Sequence, residues 1–146
     1  MRLFSRYSPV MLLSLIMTWG VCSSAVAQDA EVIFNRCKMK IQEITQRTTN
    51  AQTETVRTCA PIITELLAHG NNEEAHRVAR RCLATVDEIT AAGTANLRRT
   101  CRECVEMLRR LNAIELAERL NNLCEASIRK LNEQQRRARR LIEELF

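Results

Sequence analysis

Aromatic residues are scarce. The 146-residue chain holds three Phe, one Tyr and one Trp, and only Phe34 and Phe146 lie beyond residue 27. A site that stacks sugars or bases on rings is therefore not expected. Long apolar runs are equally scarce. Val10 to Val21 is the one such run, roughly a dozen residues, short of the roughly 20 that span a bilayer. Strand-like alternation of apolar and polar residues is missing, which excludes a β architecture. Lysine is nearly missing too: beside Lys38, Lys40 and Lys130 every basic residue is Arg. No nucleophile, base and acid can be singled out as a set, so the chain is read as a non-enzyme with no cofactor.

The first residues have the pattern of a secretory signal peptide. Arg2 and Arg6 supply a positive start, the apolar run follows, and Ala25-Val26-Ala27 offers small residues in the A-x-A arrangement that a signal peptidase accepts. Cleavage is expected after Ala27, making 1–27 the leader and 28–146 a single exported domain, periplasmic or secreted. Cys22 would leave with the leader; Val21 before it does not fit a lipoprotein site. The remaining chain carries 20 basic against 17 acidic residues once Arg2 and Arg6 are removed. That mild excess gives little support to nucleic acid as a partner.

Six cysteines then remain: Cys37, Cys59, Cys82, Cys101, Cys104 and Cys124. An even number in a small exported chain points to disulfides. The cysteines also mark an internal repeat. Cys59 and Cys101 are 42 residues apart, and so are Cys82 and Cys124. At the same offset Arg57-Thr58-Cys59 matches Arg99-Thr100-Cys101, Leu66 matches Leu108 and Ala75 matches Ala117. Cys37 to Thr45 echoes Cys82 to Thr90 as a partial third copy.

Apolar positions recur at helical spacing, as in Ala75, Val78, Ala79, Cys82, Val86 and Ile89. The pattern predicts an all-α fold of about five helices, near 30–47, 53–69, 72–91, 95–111 and 113–145, in antiparallel hairpins forming a repeat or a bundle. Gly70 and Gly93 are expected to end helices. Asn71 with Glu74, and Asn112 with Glu115, read as capping boxes. Pro61 is expected to start or kink its helix. The stretch Leu66-Leu67-Ala68-His69-Gly70-Asn71-Asn72-Glu73-Glu74-Ala75 resembles the turn between the two helices of tetratricopeptide repeats. That resemblance implies stacked helical hairpins. The period of 42 departs from the family's 34, and the resemblance carries no binding residues.

Every one of the six cysteines lies on an apolar stripe and faces a neighbouring helix. If residues equidistant from a turn pair, the local scheme is Cys37–Cys59, Cys82–Cys104 and Cys101–Cys124. A scheme that respects the repeat pairs Cys59–Cys82 with Cys101–Cys124 and leaves Cys37–Cys104. The spacing favours the local scheme and the symmetry favours the other. Cys101-Arg-Glu-Cys104 has redox-motif spacing but sits mid-helix. Free inward thiols would instead resemble exported cysteine-rich four-helix bundles that hold Cu(I), the alternative functional reading.

The last helix is expected to outrun its partners. Ile128, Leu131, Ile142, Leu145 and Phe146 would then lack an intrachain surface, making 128–146 an overhang. Arg136, Arg137, Arg139 and Arg140 sit on the same stretch. The function expected is that of an exported, disulfide-stapled interaction or scaffold module. Its C-terminal helix would hold another protein or a second copy, with an anionic membrane surface as a lesser possibility.

Overall fold

The computed structural model describes the backbone from Gly20 and the side chains from Ala25 onward. The expected leader's arginines and its apolar run as far as Trp19 lie outside the described residues. Among the described residues three helices make up the fold: α1 (Gly20–Ala68), α2 (Asn72–Arg110) and α3 (Ile114–Glu143). Each packs on both others, giving an up-down-up three-helix bundle with no strand among the described residues.

The all-α expectation holds; the five helices and their stacked hairpins do not. The expected first and second helices are one continuous α1, and the third and fourth are one continuous α2. The stretch around residues 45–55 reads as a break because it is rich in Thr and Asn. In the fold each of its threonine hydroxyls that bonds turns back on its own helix. Thr45 donates to the Ile41 carbonyl at 2.7 Å, Thr48 to Ile44 at 2.8 Å, Thr53 to Thr49 at 2.9 Å and Thr55 to Ala51 at 2.9 Å. A helix tolerates such back-bonding at small cost. Gly93 ends nothing: it is buried in mid-α2 because α1 crosses there. Pro61 lies inside α1 on the exposed side, where the carbonyl that loses its N–H partner can be solvated.

The two real turns share one design. At the first, the Gly70 N–H bonds the Leu67 carbonyl at 3.0 Å and the Asn71 N–H bonds Leu66 at 2.9 Å. At the second, Asn112 bonds Arg109 at 2.9 Å and Ala113 bonds Leu108 at 2.9 Å. This is the Schellman closure, which needs a left-handed residue after the helix. Gly70 (φ 74°) and Asn112 (φ 57°) supply it at positions one repeat apart. The expected capping boxes are not formed. Neither α2 nor α3 has a side-chain cap bond, and the residue before α3 is Ala113. Asn112 instead closes α2, a role Asn fills because it tolerates the left-handed region.

Two apolar clusters divide the core. Around the α2–α3 turn lie Ala30, Phe34, Ile41, Leu97, Leu108 and Leu120. Around the α1–α2 turn lie Ile63, Ala75, Ala79 and Ile142. The waist between them is polar, with Thr45, Thr48 and Gln52 from α1, Thr90 from α2 and Ser127 from α3 all buried.

The expected overhang is overturned. With 30 residues α3 is the shortest helix, against 49 in α1 and 39 in α2, because fusing the expected short helices lengthened its partners. Leu131 and Ile142 are 0% exposed. Ile128 and Leu145 are half-buried against the two clusters. Phe146 remains 51% exposed, with its ring stacked on His76 at 4.2 Å.

Candidate functional site: cysteine staples and a basic helix face

Three disulfides join the helices: Cys37–Cys104, Cys59–Cys82 and Cys101–Cys124, with Cα separations of 6.0, 6.4 and 6.2 Å. All lie within the usual range for such bridges. The local scheme is thereby corrected in two of its pairs. Cys37 and Cys59 are on the same helix, 22 residues apart, which is about 33 Å at ~1.5 Å per residue. Cys82 and Cys104 stand in the same relation on α2. The repeat was the sound guide: Cys59–Cys82 and Cys101–Cys124 each span 23 residues across a Schellman turn.

Cys101 and Cys104 do not bond each other. One ties α2 to α3 and the other ties α2 to α1, so all three helices are clamped within a single turn of α2. The sulfurs are spent in this way, and a disulfide sulfur offers no thiolate to a soft metal. Among the described residues no three His, Cys, Asp or Glu side chains gather as a metal site. His69 is exposed, with Nδ1 2.8 Å from the Glu65 carbonyl, and His76 is engaged by Phe146.

The waist holds contacts that sequence reading missed. Gln52 is 0% exposed. Its Nε2 donates to Thr90 Oγ1 at 2.6 Å and to the Leu131 carbonyl at 3.3 Å, joining all three helices. Its Oε1 has no partner, nor do Thr49 Oγ1 and Thr94 Oγ1. The signal was present, since Gln52 and Thr90 both fall on the apolar stripes of their helices. Beside the waist, Asp87 of α2 accepts from Arg139 Nη1 at 2.7 Å and from Gln135 Nε2 at 2.7 Å. Burial pushes the Asp87 carboxyl up. The Gln135 and Arg139 donors and the Arg139 charge outweigh it, so the group ends below the usual carboxylate value.

This separates the four arginines singled out on α3. Arg139 is turned to α2 and neutralised by Asp87. Arg136, Arg137 and Arg140 are exposed, and with Lys130, Glu133 and Gln134 they line one shallow surface depression. Among the described residues no carboxylate lies within ion-pair distance of these three arginines or of Lys130; the same holds for Arg80, Arg81, Arg98, Arg99, Arg102 and Arg109 of α2, while Arg47, Arg77, Arg110 and Arg129 each pair with a Glu one turn earlier. The apolar candidates Leu131 and Ile142 belong to the core.

No family and neither a curated protein nor a solved structure matches the chain. Among the described residues, no helix is long and apolar enough to cross a membrane.

Proposed function

We propose that this chain is an exported, non-catalytic interaction module, a disulfide-locked three-helix rod that holds another protein through the exposed basic face of α3. The observation that carries the reading is the gathering of four cations around one surface depression of α3. Arg136, Arg137, Arg140 and Lys130 stand within about three turns of one helix without a carboxylate partner. Guanidinium groups bind carboxylates bidentately, so an acidic protein face is the fitting complement. A second copy is a poor partner for this face, since it would bring the same charges together. Three intramolecular disulfides fit maturation in an oxidising compartment. One of them, Cys101–Cys124, ties α3 to α2 just before this stretch, so the helix itself needs no ordering on binding.

Cross-linking in the compartment where the chain matures tests the reading. The wild type is expected to give a discrete cross-linked species that weakens with added salt. The triple variant Arg136→Glu, Arg137→Glu, Arg140→Glu is expected to lose it while keeping its helical circular dichroism. Persistence of the species in the folded variant would sink the basic face as the contact, and a wild type that cross-links to nothing would sink the interaction reading.

A further inference from the structure

The order of the disulfides along the chain carries an inference about how the protein is made. In sequence order the cysteines are 37, 59, 82, 101, 104 and 124. The native bonds are interlaced: Cys37–Cys104 encloses Cys59–Cys82 and crosses Cys101–Cys124. A chain that emerges N-terminus first and is oxidised as it emerges pairs each cysteine with the next, giving Cys37–Cys59, Cys82–Cys101 and Cys104–Cys124. None of these is native. For Cys37 chain statistics push the same way. Loop closure becomes rarer roughly as the three-halves power of loop length. Cys37 in the unfolded chain therefore meets Cys59, 22 residues on, about fivefold more often than Cys104, 67 residues on.

We propose that the protein is a substrate of a thiol–disulfide isomerase, an enzyme with a reactive thiolate that reshuffles these early bonds. The oxidant is a disulfide-bearing oxidoreductase or a small-molecule disulfide, which takes two electrons and two protons for each bond made. The reshuffling itself is redox-neutral and closes in one circuit. The isomerase thiolate attacks the Cys37 sulfur of Cys37–Cys59, forming a mixed disulfide and releasing the Cys59 thiolate. Cys59 attacks Cys82 in Cys82–Cys101, making the first native bond and releasing Cys101. Cys101 attacks Cys124 in Cys104–Cys124, making the second and releasing Cys104. Cys104 attacks Cys37 in the mixed disulfide, making the third and expelling the isomerase thiolate. Three disulfides enter and three leave.

The fold favours the last two steps. Cys101 and Cys104 are one helical turn apart on the same buried face of α2, where residues at this spacing are neighbours. Arg98 and Arg102 line the groove that Cys101 and Cys124 floor, and nearby cations favour the attacking thiolate.

The inference draws on the export reading only for the order of emergence, so the test has an arm that does not need it. Purified chain, reduced and unfolded, is returned to native buffer with the thiol-free oxidant diamide and mapped by non-reducing peptide mass spectrometry. Non-native pairs are expected, converting to the native three once catalytic reduced protein disulfide isomerase is added. Full yield of the native three in diamide alone would overturn the inference, because the reduced helices would then fold first and dictate their own pairing. In cells, loss of the isomerase is expected to leave consecutive pairs on the exported chain. A full native map without it overturns the inference in the same way. Six free thiols on the cellular protein would overturn the export reading and the inference together, whereas the native three formed without the isomerase would overturn the inference alone.

Discussion

Gly93 of α2 lies against Thr48 of α1 so closely that a Cβ at position 93 would meet Thr48 Cγ2 and Oγ1 at 2.5 Å. Thr48 cannot swing away at no cost: it is β-branched on a helix, and its hydroxyl is bonded to the Ile44 carbonyl. Gly93→Ala should therefore destabilise. Forcing atoms into a packed crossing costs about 1–3 kcal/mol, against a gain of about 1 kcal/mol in helix propensity. A lower melting temperature is expected for Gly93→Ala, with recovery in the double variant Thr48→Ala, Gly93→Ala. A single variant as stable as the wild type would mean that the crossing is looser than this contact.

Gln52 is expected to behave in the opposite way to most core residues. Its amide joins three helices, but Oε1 is orphaned, and an unmet buried acceptor costs about 1–3 kcal/mol. Thr90 keeps its bond to the Val86 carbonyl without it. Gln52→Leu should leave stability unchanged or raise it by up to about 2 kcal/mol in urea unfolding. The loss should be one of definition: broader amide signals and faster hydrogen exchange around Thr90 and Leu131. A drop of several kcal/mol would show that the amide bonds outweigh the orphan.

The same waist explains what could be read from the sequence and what could not. The helical period, the cysteine stripe and the 42-residue offset are local or pairwise patterns, and each survives in the fold. The helix count differs from the expected five because polar and small residues occupy the buried stripe at the two expected breaks. Thr45, Thr48, Gln52 and the part-buried Val56 keep three- and four-residue steps between Ile41 and Cys59, and Thr90 and Gly93 do so between Val86 and Leu97. The stripe is unbroken in spacing and broken only in hydrophobicity. The consequences of those two breaks reach the rest of the fold. Splitting α1 and α2 put Cys37 with Cys59, halved the partners of α3 and made its buried Leu131 and Ile142 look homeless. The arginines of α3 were legible as a group, but which one faces Asp87 depends on the rotation of α3 against α2, which no single-helix pattern encodes.

Asp87 should give stability a small acid-sensitive component. Its folded pKa lies below the unfolded value, so its contribution is complete above the unfolded pKa of about 3.9 and is lost as pH falls through the folded one. Both partners are near 40% exposed, Arg139 at 39% and Asp87 at 44%. The pair is thus worth about 1 kcal/mol or less. Asp87→Asn should flatten the fall in stability below about pH 4, measured by urea unfolding from pH 5 to pH 2.5. An unchanged slope would assign that fall to other carboxylates.

The expected cleavage removes no buried side chain among the described residues. Ala25, Val26 and Ala27 are exposed, and Ala30 is the first buried side chain described. N-terminal sequencing of exported protein is expected to begin near Gln28. Because Tyr7 and Trp19 would be gone, absorbance at 280 nm should fall to the weak band of the disulfides. Mature protein that still absorbs as a tryptophan protein would refute the cleavage.

The staples should differ in worth by the length of chain they close. Cys37–Cys104 spans 67 residues and Cys59–Cys82 spans 23. By loss of unfolded-chain entropy alone, these loops give about 4 and about 3 kcal/mol respectively. The existing Cys59–Cys82 bond shortens the larger loop and narrows the gap. The two bonds also hold different things. Cys59–Cys82 sits close to a turn that already joins its helices, whereas Cys37–Cys104 is the covalent tie between the N-terminal half of α1 and the rest of the bundle. Among the described residues, Ala30, Phe34 and Ile41, with partly buried neighbours, otherwise anchor that segment to its cluster. Replacing Cys37 and Cys104 by Ala should therefore lower the urea midpoint more than replacing Cys59 and Cys82. It should also speed hydrogen exchange from residue 28 to about residue 44 while leaving the α1–α2 turn protected. Equal midpoints with unchanged exchange in that segment would show that the packing around Phe34 and Ile41 holds α1 unaided.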